Sequence, residues 1–131
     1  GIMKIEHLTN TDSDHPKSNM IRAFDFDSWE ACRFRDILSG LANGAISEID
    51  LTGLPFVTTI GGCRLILKVG KGDMGTIQLS KTVFECVLTK VSWETAEDLV
   101  EPFCDGDLSG YQWLYKLNTN IEFLFSPSGE W

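Results

Sequence analysis

The residues whose types and spacing could bind a metal lie between positions 105 and 110. Oxygen-bearing side chains stand there at alternate positions and a glycine follows them: Asp105, Asp107, Ser109 and Gly110. This is the first half of an EF-hand loop, which places oxygen ligands at positions one, three and five and a glycine at six. Position twelve, where a Glu would complete the loop, is Lys116. We expect calcium only if Glu101 or Glu122 supplies that ligand, and otherwise an acidic turn.

A second candidate is the glycine-rich segment 70–75, GKGDMG, which matches G-x-G-x-x-G. A dinucleotide site needs this pattern between a strand and a helix, because the helix N-terminus receives the pyrophosphate. The residues that follow, TIQL at 76–79, predict a strand instead. We therefore interpret the segment as a hairpin turn and not as a nucleotide site.

Negative charge and aromatic residues coincide in the last third of the chain. Residues 93–131 hold eight acids and one base, so −7 of the formal net charge of −8 lies there. A protein that binds nucleic acid needs clustered bases, whereas an acidic surface complements a basic protein. Trp and Tyr also carry much of the energy of interfaces. The residues predicted to bind such a partner are Glu101, Asp105, Asp107 and Trp131.

The function predicted from these features is that of a non-catalytic protein-interaction module for a basic partner. Small acidic inhibitors of basic enzymes, such as toxin-neutralising immunity proteins, follow the same logic of charge and size, without any likeness of residues. The other class left open is a small-ligand or calcium-binding domain, or a minor enzyme, that uses the 105–110 loop. No catalytic residue can be named, because G-x-S-x-G is absent and neither histidine has a recognisable nucleophile partner.

Length and composition bound the class of protein. A chain of 131 residues with 43% hydrophobic residues fits one domain with its own core, and it has no apolar run long enough to span a membrane. The cysteines are dispersed without a C-x-x-C pair, which favours reduced thiols in a soluble, cytoplasmic protein, although one or two disulfides stay possible. They are Cys32, Cys63, Cys86 and Cys104.

The first part of the chain predicts an arm, a strand and a helix. Residues 1–19 read as a polar arm or short strand, and 20–131 as a single α+β domain. Residues 20–26 predict a strand, and a helix follows over about 29–41. Asp27 or Ser28 can cap it, with Glu30 completing a capping box, and Gly40 or Gly44 can end it.

The middle of the chain predicts several short strands, and a second helix then starts after Ser92 as N-cap. Pro102 disfavours helical geometry at Glu101, so this helix is expected to stop or kink there. The predicted fold is α+β, with an antiparallel sheet of about six to eight strands and both helices on one face. Ser-Trp-Glu at 28–30 and again at 92–94 opens each helix, which suggests a degenerate β-α-β-β duplication with a 64-residue offset.

The end of the chain predicts a β-hairpin with a three-residue loop, 118–120. Every second residue is aromatic at 111, 113 and 115, and every second residue is apolar at 121, 123 and 125. Cross-strand partners share a face, so we expect Trp113 opposite Phe125 and Tyr115 opposite Phe123.

Overall fold

A computed structural model describes residues 2–9, 19–117 and 121–131. These residues form nine strands and two α-helices, with a short 3-10 turn at Leu51–Gly53 after the third strand. In chain order the elements are β1 Met3–Leu8, β2 Met20–Phe24, α1 Ser28–Asn43, β3 Glu48–Asp50, β4 Val57–Thr59, β5 Arg64–Val69, β6 Gly75–Gln78, β7 Val83–Leu88, α2 Lys90–Cys104, β8 Gln112–Trp113 and β9 Glu122–Phe125.

The strands form two mixed sheets. One has five strands in the order β4-β1-β2-β9-β8, and the other has four in the order β3-β5-β7-β6. The β1–β4, β2–β9 and β5–β7 pairs are parallel, and the remaining pairs are antiparallel. The α+β class is therefore confirmed, but the single antiparallel sheet of six to eight strands is wrong. Residue alternation shows which face a strand buries, and it does not report the strand that will lie beside it.

The order of strands repeats between the two halves of the chain. Each half has an antiparallel pair before its helix, β1–β2 and β6–β7, and another after it, β3–β5 and β8–β9. Each sheet joins the first pair of one half to the second pair of the other, through the parallel contacts β2–β9 and β5–β7. β4 lies outside this repeat and pairs with β1 at the edge of the five-stranded sheet. The duplication of a β-α-β-β unit stays a prediction.

Helix α1 begins and ends where the sequence indicates. The Asp27 carboxylate accepts from the Glu30 N–H at 2.9 Å, and the Glu30 carboxylate accepts from the Asp27 N–H at 2.8 Å, so the predicted capping box is present. Gly44 follows the last turn at φ 85°, a left-handed conformation that glycine adopts without steric cost. Of the two predicted terminators, Gly44 is the one used.

Helix α2 differs from its prediction at both ends. Thr89, not Ser92, is the N-cap, and the helix continues through Pro102 to Cys104. A proline removes one backbone donor, so near a C-terminus it costs a single hydrogen bond of the last turn. The side chain of Phe103, only 3% exposed, packs in the core and holds that turn in place. Burial of one aromatic ring outweighs the local preference of the residue before proline.

One hydrophobic core collects side chains from both sheets and both helices. The Phe34 ring of α1 stacks on Phe125 of β9 with centroids 5.0 Å apart. The fully buried Trp93 of α2 donates its indole N–H to the Lys68 carbonyl of β5 at 3.1 Å. A smaller cluster lies on the opposite face of the five-stranded sheet, where Trp113 and Trp131 pack on three buried residues, Leu8, Met20 and Leu124.

The C-terminal strands pair one residue out of the predicted register. Trp113 lies opposite Leu124, and Gln112, not Trp113, lies opposite Phe125. This slip turns Leu114 toward the core, where it is 1% exposed, and turns Trp113 to the other face. The aromatic pairs expected from the alternation of residues are therefore wrong. Leu114 fills the main core and Leu124 fills the smaller cluster on the other face, so both faces are apolar in the observed register as well. The expected loop at 118–120 lies outside the described residues.

The glycine-rich segment 70–75 is not a hairpin turn, since β5 and β6 do not pair and instead flank β7 on either side. A strand follows it, so the strand–turn–helix context of a dinucleotide site is absent there. Its Asp73 carboxylate accepts hydrogen bonds from the Thr89 N–H at 2.8 Å and from the Ser92 hydroxyl at 2.7 Å. The segment thus supplies a hydrogen-bond acceptor at the N-terminus of α2.

The Asp73 contacts predict a pH-dependent contribution to stability. The hydrogen bonds from Ser92 and Thr89 hold the pKa of Asp73 below its ordinary value. A carboxyl group with a lowered folded-state pKa stabilises the fold above its unfolded pKa, and loses that effect as pH falls. Asp73→Ala is expected to lower the unfolding free energy by about 1 kcal/mol at pH 7. In urea unfolding the gap from wild type should shrink below about pH 4; a gap that stays constant down to pH 3 would contradict this account.

Candidate functional site: the acidic stripe of α2 and the adjoining cleft

Four carboxylates of α2 and its C-cap lie on one outward face of the helix. Their spacing of four, three and four positions matches the helical repeat, so they form a line about 16 Å long along the axis. The face opposite to them carries the buried residues of α2, which include Trp93 and Val100. This acidic stripe consists of Glu94, Asp98, Glu101 and Asp105.

The C-terminal half of the acidic stripe is placed where helix electrostatics disfavours it. Like charges four positions apart, such as Glu94 with Asp98, destabilise a helix by about 0.2–0.5 kcal/mol. Glu101 and Asp105 stand at the negative end of the helix dipole, and the last turn has no basic residue. The repulsion between Glu94 and Asp98, and the position of Asp105 after the last turn, are therefore locally unfavourable for the helix.

Ion pairs elsewhere in the chain leave most of the acidic stripe uncompensated. Among the described residues, arginine and lysine pair with acids of the first two thirds of the chain in every case but one, Arg35 with Glu101. Both oxygens of Glu101 accept from the Arg35 guanidinium, at 2.8 and 2.9 Å. Glu94, Asp98 and Asp105 are exposed and have no ion-pair partner in the ranges that the structure describes. Glu101 thus joins α1 to α2, while the other three face solvent.

The 105–110 loop forms a turn that is closed by its own side chains. Asp107 accepts from both the N–H and the hydroxyl of Ser109, and these bonds lower the pKa of the Asp107 carboxyl. Asp105 follows α2 as its C-cap, with its N–H bonded to the last turn. Within residues 2–9, 19–117 and 121–131 no group of three His, Cys, Asp or Glu side chains is arranged to hold a metal ion. Calcium binding by Asp105, Asp107 and Ser109 stays a prediction without support from this geometry.

Trp131 packs, together with Trp113, against the smaller apolar cluster of the five-stranded sheet. It is half-buried on the cluster of Leu8, Met20 and Leu124. Together with the end of the 105–110 loop it lines an open cavity of about 290 Å³, whose walls are Gly110, Tyr111, Ser128, Glu130 and Trp131. Of the four predicted partner-binding residues, Glu101 and Asp105 belong to the acidic stripe, Asp107 lies two residues beyond it, and Trp131 packs on a sheet.

Sequence reasoning missed a second feature, an apolar cleft beside the acidic stripe. Its volume is about 340 Å³, and its walls are mainly apolar. Thr95 and Leu99, neighbours in sequence of Glu94 and Asp98, line it from the helix side. The opposite wall is the segment after β8, and the complete set is Ser92, Thr95, Leu99, Leu114, Tyr115, Lys116 and Leu117. The alternation of residues in this segment predicted a longer strand, and that expectation hid the cleft.

Comparisons of the chain with protein-family models, with curated proteins and with solved structures found no match. Among the described residues, neither helix has the length and hydropathy required to cross a membrane. The geometry of the acidic stripe and the cleft is therefore the basis for a functional proposal.

Proposed function

We propose that the protein is a non-catalytic interaction module whose acidic stripe binds a basic protein. The observation that carries the proposal is the position of three exposed carboxylates on one helix face, none of which has an ion-pair partner among the described residues. Positions that break local rules of stability without a compensating contact are often functional. A cationic surface on a partner would supply the missing compensation and would also steer its approach.

The partner proposed here presents lysine or arginine side chains spaced by about one and about two helical turns, to match the intervals from Glu94 to Asp98 and from Asp98 to Asp105. Glu101 contributes to the same negative field, although Arg35 engages both of its oxygens. The adjoining cleft can accept an apolar side chain of that partner, between Leu99 and Leu114. Such a pairing of a buried apolar contact with a charged rim is the common anatomy of protein interfaces. Nucleic acid and membrane surfaces are disfavoured as partners, because both are themselves negatively charged.

The proposed location is the cytoplasm. All four cysteines are free thiols in the structure, which suits a reducing compartment.

The test of the proposal is capture of basic proteins from a native lysate on the immobilised domain, with two variants in parallel. The stripe variant neutralises three exposed carboxylates and spares Glu101, whose loss would leave Arg35 without its partner. The control variant removes the same charge from other exposed or half-exposed acids that have no ion pair in the described ranges. The stripe variant is Glu94→Gln, Asp98→Asn and Asp105→Asn; the control is Glu48→Gln, Glu85→Gln and Glu122→Gln.

A basic protein that is retained by wild type and by the control variant, released by salt and lost from the stripe variant, supports the proposal. Equal retention of basic proteins by both variants would show that only net charge matters, and would remove the acidic stripe as a site.

If the acidic stripe is kept for binding, then relieving it should stabilise the free protein. Asp98→Lys replaces a repulsive pair of carboxylates with a favourable pair between Glu94 and the introduced lysine, and places a base toward the C-terminal half of α2. We expect a gain of about 0.5–1 kcal/mol in unfolding free energy, measured in urea, with about half that gain for Asp98→Asn. A loss of stability in both variants would mean that Asp98 is compensated within the fold.

A further inference from the structure

Cys32 of α1 and Cys104, the last residue of α2, lie together at the contact of the two helices. The Cys32 Sγ–H points at the Cys104 carbonyl oxygen, 3.6 Å away, across a separation of 72 positions in sequence. Both residues are half-buried, which leaves them within reach of small molecules in solvent. They stand one helical turn from Arg35 and Glu101, whose ion pair fixes the same contact between α1 and α2.

The remaining two cysteines are in different surroundings. Cys63 and Cys86 are buried in separate segments of the chain. Burial raises the pKa of both thiols, and that of Cys86 rises to about 12. A buried thiol with a raised pKa offers little thiolate and is chemically inert. Of the four cysteines, only Cys32 and Cys104 are both close to each other and partly exposed to solvent.

We propose that Cys32 and Cys104 are a site of reversible disulfide formation by exchange with a small-molecule disulfide such as oxidised glutathione. The proposal concerns a covalent modification and does not depend on the interaction function. Joining these residues would tie the last turn of α2 to α1, beside the C-cap Asp105. It would therefore fix the end of the helix that carries the acidic stripe.

The exchange balances in two steps. In the first, the Cys32 thiolate attacks one sulfur of the small disulfide, a new mixed disulfide forms, and the other half leaves as a thiolate that takes up a proton. In the second, the Cys104 thiolate attacks the Cys32 sulfur, closes the protein disulfide and releases the second small thiolate, which is also protonated. Two protein thiols are oxidised and one small disulfide is reduced to two thiols.

The order of the steps follows from the surroundings of Cys104. Burial and the adjacent Cys32 thiol both raise the pKa of Cys104, which lowers its thiolate fraction. Attack by Cys104 is efficient only after a disulfide sulfur stands next to it, because the reaction is then intramolecular. Cys32 is accordingly the residue that meets the small disulfide first.

The experiment is incubation of the folded wild-type chain with oxidised glutathione, followed by intact mass and peptide mapping. We expect a product lighter by two hydrogen atoms, with Cys32 joined to Cys104 and with free thiols at Cys63 and Cys86. Because the bridge closes a long loop, the melting temperature of this product should exceed that of the reduced chain by at least about 5 °C. Reduction should restore the original value.

Cys32→Ser should give no bridged product, while Cys63→Ser, a matched change outside the pair, should give the full yield if it folds. The wild-type map decides the question whether or not the variants fold. A stable glutathione adduct on Cys32 without ring closure, a bridge between other cysteines, or four thiols that remain free would each overturn the proposal.

Discussion

Replacement of Trp93 by alanine is expected to lower the unfolding free energy by about 3–5 kcal/mol, which is a large part of the stability of a domain of this size. Its side chain is fully buried between α2 and the four-stranded sheet. The substitution leaves a cavity, and it also leaves the Lys68 carbonyl without the indole N–H that it accepts at 3.1 Å. Both losses act on the folded state alone.

The matched control is Trp29→Ala, in the other Ser-Trp-Glu triplet. Trp29 is 60% exposed, touches Phe56 edge to face with centroids 6.4 Å apart, and has the Arg33 guanidinium 5.7 Å above its ring. We expect a cost below about 1 kcal/mol there. Both variants should be measured by urea unfolding with circular dichroism, since fluorescence changes when a tryptophan is removed. Equal costs for Trp29→Ala and Trp93→Ala would contradict the packing described here.

The contrast between these two tryptophans also shows where the sequence misleads. The Ser-Trp-Glu echo implies an offset of 64 positions, but the N-caps Asp27 and Thr89 are 62 positions apart. When α1 is aligned with α2 at an offset of 62 positions, four buried residues of α1 align with four buried residues of α2. A shift of two residues turns a helical side chain by about 200°, so one Trp faces solvent and the other faces the core. The pairs at offset 62 are 31 with 93, 34 with 96, 38 with 100 and 41 with 103.

Local chemistry was predictable because it depends on neighbours in sequence. The capping box of Asp27 and Glu30 and the stop at Gly44 are examples, since each involves residues within one turn. The existence of β5 and its one-sided burial were predictable from alternation for the same reason. In these segments local propensity and tertiary packing agree, which is typical of a natural sequence.

Features that depend on distant partners were not predictable. The parallel contact of β2 with β9 joins residues about a hundred positions apart in sequence. Two registers of β8 on β9 would each have turned apolar residues toward the core, so the alternation of residues did not select between them. The approach of Cys32 to Cys104 depends on the crossing of α1 and α2, and no pattern in either helix reports it. In the candidate site the excess of acids was visible in the sequence. Its arrangement as a stripe, and the engagement of Glu101 by Arg35, required the extent of α2 and its contact with α1.

The second large effect expected is on binding. Each exposed charge at an interface rim contributes about 0.5–1 kcal/mol, so loss of three carboxylates from the acidic stripe should weaken binding of the basic partner about 10- to 100-fold. Glu94, Asp98 and Asp105 are the residues concerned, and all three are exposed. Most of the change should appear in the association rate, because charges at the rim of an interface act mainly on the approach of the partner.

Salt should remove the same difference. At high ionic strength the charges on both proteins are screened beyond a few ångströms, so wild type and the stripe variant should bind with similar affinity. The contact that survives salt would then be the apolar one at the cleft, near Leu99.

The most direct test of the acidic stripe is the dissociation constant of the captured basic protein, purified, for wild type, the stripe variant and the control variant at low salt. The stripe and control variants carry the same net charge, so they differ only in where the charge was removed. The prediction is a loss of at least about 10-fold for the stripe variant and of less than about 3-fold for the control variant. Equal losses in the two variants, or no loss in either, would contradict a binding site on this face of α2.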